Sequence, residues 1–63
     1  MRSGKTYTHP GFLDVVMRVV KVKYNGAKKL KCRVAWLTKR GDFIGLDNVE
    51  VLRVNLHLWS EVL

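Results

Sequence analysis

Alternating apolar and polar residues from Phe12 to Trp36 predict two long antiparallel β-strands joined by a tight turn. The first strand is rich in β-branched valine, which suits a pleated, half-buried backbone. Its apolar side chains change phase after Val19, from Met17 and Val19 to Val20, Val22 and Tyr24. Because a slip of one residue turns every following side chain over, we expect a β-bulge or sharp bend near Val19–Val20.

The dipeptide Asn25–Gly26 is a strong hairpin signal between the two strands. The return strand alternates between an apolar set that begins at Leu30 and a basic set formed by Lys31 and Arg33. If Val22 shares a face with Leu30, the numbers of the two residues in each cross-strand pair add up to an even value. That register excludes a two-residue loop and predicts a loop of three residues, 25–27, or five residues, 25–29. Either loop places four basic side chains on one face, namely Lys21, Lys23, Lys31 and Arg33.

Further short apolar runs, separated by turn residues, extend the prediction to five strands. The apolar phase changes again near Val51–Leu52, where we expect a second bulge, and Asn55 suits the N-cap of a helical turn over His57–Val62. Either Trp59 and Leu63 or Leu58 and Val62 would then cover one end of the fold. The five strands are expected at about 5–9, 12–24, 29–38, 42–46 and 49–55.

These elements predict an all-β fold, a small five-stranded antiparallel SH3-like barrel with a short C-terminal helical turn. An OB-fold fits less well, because its connections are longer and it carries a helix between strands. The 63 residues are interpreted as one domain, 1–63, with residues 1–4 frayed. A chain of this length buries a thin core, so an oligomer or another partner would add to its stability.

The single cysteine excludes an internal disulfide and is typical of a reducing compartment. Cys32 alternates with Leu30 and Val34, and we interpret it as a core residue. The apolar run from Phe12 to Val22 is interrupted by charged residues, so neither a membrane partner nor a targeting segment is expected. The expected location is the cytoplasm.

The charge distribution is strongly one-sided. The formal net charge is +7, and nine of the twelve basic residues lie between Asp14 and Asp42, an interval without acidic residues. The C-terminal third is weakly acidic. An asymmetric field of this kind indicates an anionic partner and says little about the fold.

Catalytic constellations are missing from the sequence. His9 and His57 have no cysteine or carboxylate at ligand spacing, and no carboxylate pair or glycine-rich phosphate loop is present. We therefore expect a protein that is not an enzyme, with no cofactor and no bound metal.

The basic hairpin predicts weak, nonspecific binding to nucleic acid, either DNA or RNA, through phosphate contacts. Most of the six aromatic residues fall on core phases, and Tyr24 beside the turn is the candidate for base stacking. The alternative without a binding function is a solvated lysine-rich strand that prevents aggregation. The candidate nucleic-acid-binding residues are Lys21, Lys23, Tyr24, Lys29, Lys31, Arg33, Lys39 and Arg40.

A protein–protein adaptor is the alternative function. The same basic face would bind an acidic protein, or an open strand edge would pair with a partner strand or a second copy of the chain.

The motifs Thr6–Pro10 and Leu13–Val15, followed by the valine-rich strand, Trp36 and the terminal Leu56 and Trp59, resemble small uncharacterised tailed-bacteriophage proteins. The resemblance covers most of the chain and implies a phage-encoded accessory protein that works in the host bacterial cytoplasm. It implies no catalytic residues. It strengthens the adaptor hypothesis, since small phage proteins often bind or inhibit a host protein.

Overall fold

A computed structural model describes residues 1–62 of the chain. Three long strands and two short strands account for most of these residues. The strands are β1 (Thr6–His9), β2 (Phe12–Asn25), β3 (Lys29–Thr38), β4 (Phe43–Leu52) and β5 (Ser60–Glu61), with a 3-10 helix (Arg53–Leu58) between β4 and β5.

All neighbouring strands run antiparallel in one sheet of order β4-β3-β2-β1-β5. The first four strands form a meander, and β5 returns to pair with β1. The expected all-β fold with five antiparallel strands and a short C-terminal helical turn is therefore confirmed. Within residues 1–62 the edge strands β4 and β5 do not pair with each other, so the sheet does not close into a complete barrel.

Two single-residue bulges interrupt β2 where it pairs with β3. Val19 pairs with Val34 and Lys21 pairs with Arg33, so Val20 is the extra residue, as the phase change predicts. A second, unexpected extra residue is Lys23, which lies between the pairs Val22↔Cys32 and Tyr24↔Lys31.

The second bulge changes the register near the hairpin turn. The apolar pattern predicts that the two residue numbers in each cross-strand pair add up to an even value. This holds at Val22↔Cys32, but the numbers of the pair Asn25↔Leu30 add up to an odd value. The predicted loop bounds 25–27 and 25–29 are therefore wrong; the strands are connected by residues 26–28, which has the shorter of the two predicted lengths. Tyr24 consequently leaves the inward phase of Val22 and faces outward with Lys31. Val20, also expected on the inward face, is exposed.

The C-terminal third differs most from the prediction. Asp47 and Asn48, which fall in the gap between the expected strands 42–46 and 49–55, pair with Val34 and Arg33 inside the continuous strand β4. Pairing with β3 here overrides the turn preference of the local sequence. The extra residue of β4 lies at Ile44 and not near Val51–Leu52, where the apolar phase changes because the 3-10 helix begins.

The helical segment starts four residues earlier than expected. It spans Arg53–Leu58, so Asn55 lies inside it, and the N-cap residue Leu52 makes no capping side-chain bond. The expected helix over His57–Val62 is wrong because Ser60 and Glu61 pair with β1 as β5. The proposed contact of Leu63 lies outside the described residues.

The core occupies the inner face of the sheet. Met17, Val19 and Val34 are fully buried, and Cys32 and Tyr7 are buried beside them, as the alternation predicts. Trp59 and Leu56 pack on this cluster from the C-terminal segment. No side chain with a charged or strongly polar group is buried among the described residues.

Replacing Met17 by alanine is expected to destabilise the fold by about 2–5 kcal/mol, because it removes a fully buried side chain and leaves a cavity. Urea unfolding monitored by tryptophan fluorescence measures the loss. Leu13→Ala is the control on the same strand, since Leu13 is 69% exposed, and its effect is expected to stay within about 0.5 kcal/mol. Equal effects of the two substitutions would contradict the inward assignment of Met17.

Candidate nucleic-acid interface

The outer face of the β2–β3 hairpin gathers the central basic side chains. Lys21 pairs with Arg33, and Lys31 pairs with Tyr24, whereas the intervening pair Val22↔Cys32 faces the core. Lys23, the extra residue of the second bulge, lines a surface depression together with Lys31. We call these basic residues, together with Arg18 on the same strand as Lys21, the basic face. It comprises Arg18, Lys21, Lys23, Lys31 and Arg33.

The pair Lys21↔Arg33 places two like charges directly opposite each other. A cross-strand pair of like charges is destabilising. Arg33 has a neutral neighbour on its other side, since its Nη1 donates to Oδ1 of Asn48 over 3.5 Å. The contacts of this pair therefore leave its positive charge uncompensated.

Lys29 differs from the other hairpin lysines because it has an acidic partner. Its Nζ lies 3.6 Å from Oε1 of Glu50, and Glu50 also pairs with Lys31 across the β3–β4 ladder. Both partners of the ion pair remain substantially exposed, so the pair adds little stability. Its main effect is to neutralise part of the charge that Lys29 would offer to a ligand.

Lys39 and Arg40 do not join the hairpin lysines directly. They lie in the β3–β4 turn, at the opposite end of β3 from the hairpin turn, and Lys39 is six residue steps from Arg33, or about 20 Å along an extended strand. Arg40 also lies 3.8 Å from Asp42. Lys39 and Arg40 therefore lie away from the hairpin turn, at the opposite end of β3, and the extension of the basic track to them stays a prediction.

Arg18 occupies the space between these two groups and was missing from the predicted site. It pairs with Ala35, next to Lys21↔Arg33 on the outer face, and it lines a depression with Lys39 and Arg40. Its numbering suggests the opposite face from Lys21, but the extra residue at Val20 brings both to the same face. The predicted bulge was therefore the signal that could have identified Arg18.

Tyr24 is 52% exposed at the turn end of the basic face. The Nζ of Lys31 lies 6.0 Å from the centre of its ring. The ring lies close to Gly26, where an added Cβ would come within 2.4 Å of Cε2 of the ring. The turn therefore places an aromatic surface beside two lysines.

Arg53 holds the turn in place and was also missed. Its Nε donates to the carbonyl of Gly26 over 2.6 Å, and its Nη2 donates to Oδ1 of Asn25. Its backbone N–H donates to the carbonyl of Lys28 over 2.9 Å. One residue at the start of the 3-10 helix thus ties three turn residues to the C-terminal segment, a contact that local sequence does not indicate.

A second group of aromatic residues lies at the other end of the sheet. The rings of His9 and Trp59 have centroids 4.6 Å apart, and the ring of Phe12 lies 5.5 Å from Trp36 and 6.0 Å from Trp59. Phe12 and Phe43 are both exposed, so of the six aromatic residues Tyr7, Trp36 and Trp59 are the ones that pack in or against the core, fewer than expected. The centroids of neighbouring rings lie 4.6 to 6.0 Å apart, so these aromatic side chains pack on one another.

Cys32 lies beneath the basic face, on its inward side. Its side chain is buried, and burial raises the pKa of the thiol, with a smaller opposing effect from the N-terminal ammonium group. A buried thiol of this kind is a poor nucleophile. Within residues 1–62, no three histidine, cysteine or carboxylate side chains are arranged to hold a metal ion.

The helical part of the described chain is one short 3-10 helix, and no helix there has the length and apolar character needed to cross a membrane. Comparison with known proteins found no matching family model, no matching curated protein and no matching solved structure.

Because the folded state raises the pKa of Cys32, the folded chain keeps its thiol proton at a pH where the unfolded chain releases it. The free energy of unfolding is therefore expected to fall as pH rises above about 8.5, the usual thiol pKa. Urea titrations of the wild type and Cys32→Ala between about pH 7.5 and 9.5 measure this difference. If the free energy of unfolding depends on pH identically in both proteins, the pKa of Cys32 is not raised in the folded state.

Proposed function

We propose that the protein binds nucleic acid weakly and without sequence preference, through phosphate contacts from the basic face. The observation that carries the proposal is the pair of exposed Lys21 and half-buried Arg33, whose like charges oppose folding and would be favourable next to an anion. Arg18 and Lys31 add positive charge on the same side of the sheet, and Lys23 lies beside Lys31 at the second bulge.

Phosphates are the anions that this arrangement suits best. The charged groups are spread along two strands, as a repeating polyanion requires, and they do not converge in a pocket for one small ligand. Lysine and arginine contacts to phosphate fix position and carry no sequence information. DNA and RNA both offer this backbone, so the proposal covers either polymer.

The first test is fluorescence anisotropy with a labelled single strand and a labelled duplex over a series of salt concentrations. We expect micromolar binding near 50 mM salt and a slope of log K against log salt of about −3 to −5. No detectable binding near 50 mM salt, where nonspecific attraction is strong, would sink the proposal.

The double variant Lys21→Ala/Arg33→Ala locates the binding face. For a single strand, the slope of log K against log salt is expected to become less negative by about 1.4, since each lost phosphate contact contributes about 0.7. Its free energy of unfolding should stay equal or rise slightly, because a like-charge pair is removed. Arg2→Ala/Lys5→Ala removes the same charge from the N-terminal segment and is the matched control. If both variants change the slope equally, binding does not depend on the basic face.

A protein-binding role is the second candidate, and the free edge of β4 favours it. This ten-residue strand pairs with β3 on one side and with no other strand within residues 1–62. It exposes Phe43, Ile44 and Leu46 in succession around its bulge. An exposed edge with large apolar side chains suits the addition of a strand from a host protein or from a second copy of the chain.

Light scattering after size-exclusion chromatography over a range of concentrations tests the self-association form of this role. Dimers are expected at high concentration, and Ile44→Lys is expected to return the protein to monomers, because a charge blocks edge pairing. Lys5→Ala serves as the surface control. Dimers that persist in Ile44→Lys would exclude this edge as the interface.

A further inference from the structure

The bulge at Lys23 has the specific consequence of turning Tyr24 outward. Without the extra residue, Tyr24 would share the inward phase of Val22 and contribute to the core. With it, Tyr24 pairs with Lys31 on the outer face and stays 52% exposed. The thin core therefore does not contain the large ring of Tyr24, which lies next to the basic face instead.

Gly26 provides the space in which the ring lies. An added Cβ would come within 2.4–2.6 Å of Cε2, Cζ and Oη of Tyr24. The positive-φ glycines of the chain are Gly4 and Gly41, so the backbone at Gly26 accepts an L-residue without strain. The missing side chain at position 26 therefore serves the position of the ring, not the conformation of the turn.

The backbone under the ring is held from outside the hairpin. Arg53 binds the carbonyl of Gly26 and the side chain of Asn25, so the turn is fixed relative to the sheet. Within residues 1–62, the ring lies against Gly26 and makes one further contact with a charged side chain. Lys31 lies 6.0 Å from its centre, at the limit of a cation–π interaction and worth little at an exposed site.

We infer that Tyr24, lying across Gly26, is a stacking platform for one unpaired base, so that the basic face prefers single-stranded nucleic acid to duplex. This inference rests on the proposed nucleic-acid binding. A base stacked on the ring places its own phosphates near Lys31 and Lys23, which supply the charge. A duplex keeps its bases stacked on one another, so it reaches the lysines but not the ring.

The test measures affinity for three labelled probes of equal length: a single strand, the same backbone with abasic sites, and a duplex. The variants are Tyr24→Leu, which removes the ring, Tyr24→Phe, which keeps it, and Gly26→Ala, which displaces it. For the single strand, we expect a loss of about five- to tenfold in Tyr24→Leu, the low end of base stacking on an aromatic ring. Gly26→Ala is expected to show a smaller loss, and Tyr24→Phe no loss.

The abasic strand and the duplex are expected to bind Tyr24→Leu as they bind the wild type. Thermal unfolding of each variant checks that the fold is retained. If the single strand binds Tyr24→Leu and wild type equally, the platform is overturned and the phosphate-binding face survives. If none of the three probes binds near 50 mM salt, the proposed function fails and the platform fails with it.

Discussion

The pairing of β2 with β3, interrupted by two single extra residues, determines what each face of the sheet presents. Side chains alternate along a strand, so each extra residue exchanges the two faces beyond it. The bulge at Val20 lets Val19 before it and Val22 after it both face inward. A regular ladder would instead bury Lys21 and expose Val22, and a core this thin could not tolerate that exchange.

The same two bulges concentrate positive charge on the outside. Arg18 and Lys21 share a face because the extra residue at Val20 lies between them, and Tyr24 joins Lys31 because of the extra residue at Lys23. Within residues 1–62 the contacts that relieve this charge are local: Glu50 beside Lys29 and opposite Lys31, the amide of Asn48 beside Arg33, and the hydroxyl of Thr6 beside Arg18. Proper burial of the core and the charge of the outer face therefore have one structural cause.

Predictions from the sequence were most accurate where alternation was strong and partners were close along the chain. The first three strands, the bulge at Val20, and the burial of Tyr7 and Cys32 follow from pattern alone. The candidate site was predicted in part, since the hairpin residues do share a face. Arg18 was missed because the extra residue at Val20 brings it to the face of Lys21, and Lys39 and Arg40 lie away from the hairpin turn because strand direction decides which turns are neighbours.

The sequence by itself determined the all-β class, the valine-rich hairpin and the one-sided charge, because these depend on residue type and local period. Only the tertiary structure determined which residues of the C-terminal third form strands. Pairing with β3 carries β4 straight through Asp47 and Asn48, and pairing with β1 makes a strand of Ser60 and Glu61. Those partners lie 13 to more than 50 residues away in sequence, and hydrogen bonds to them outweigh the local preference for a turn or a helix.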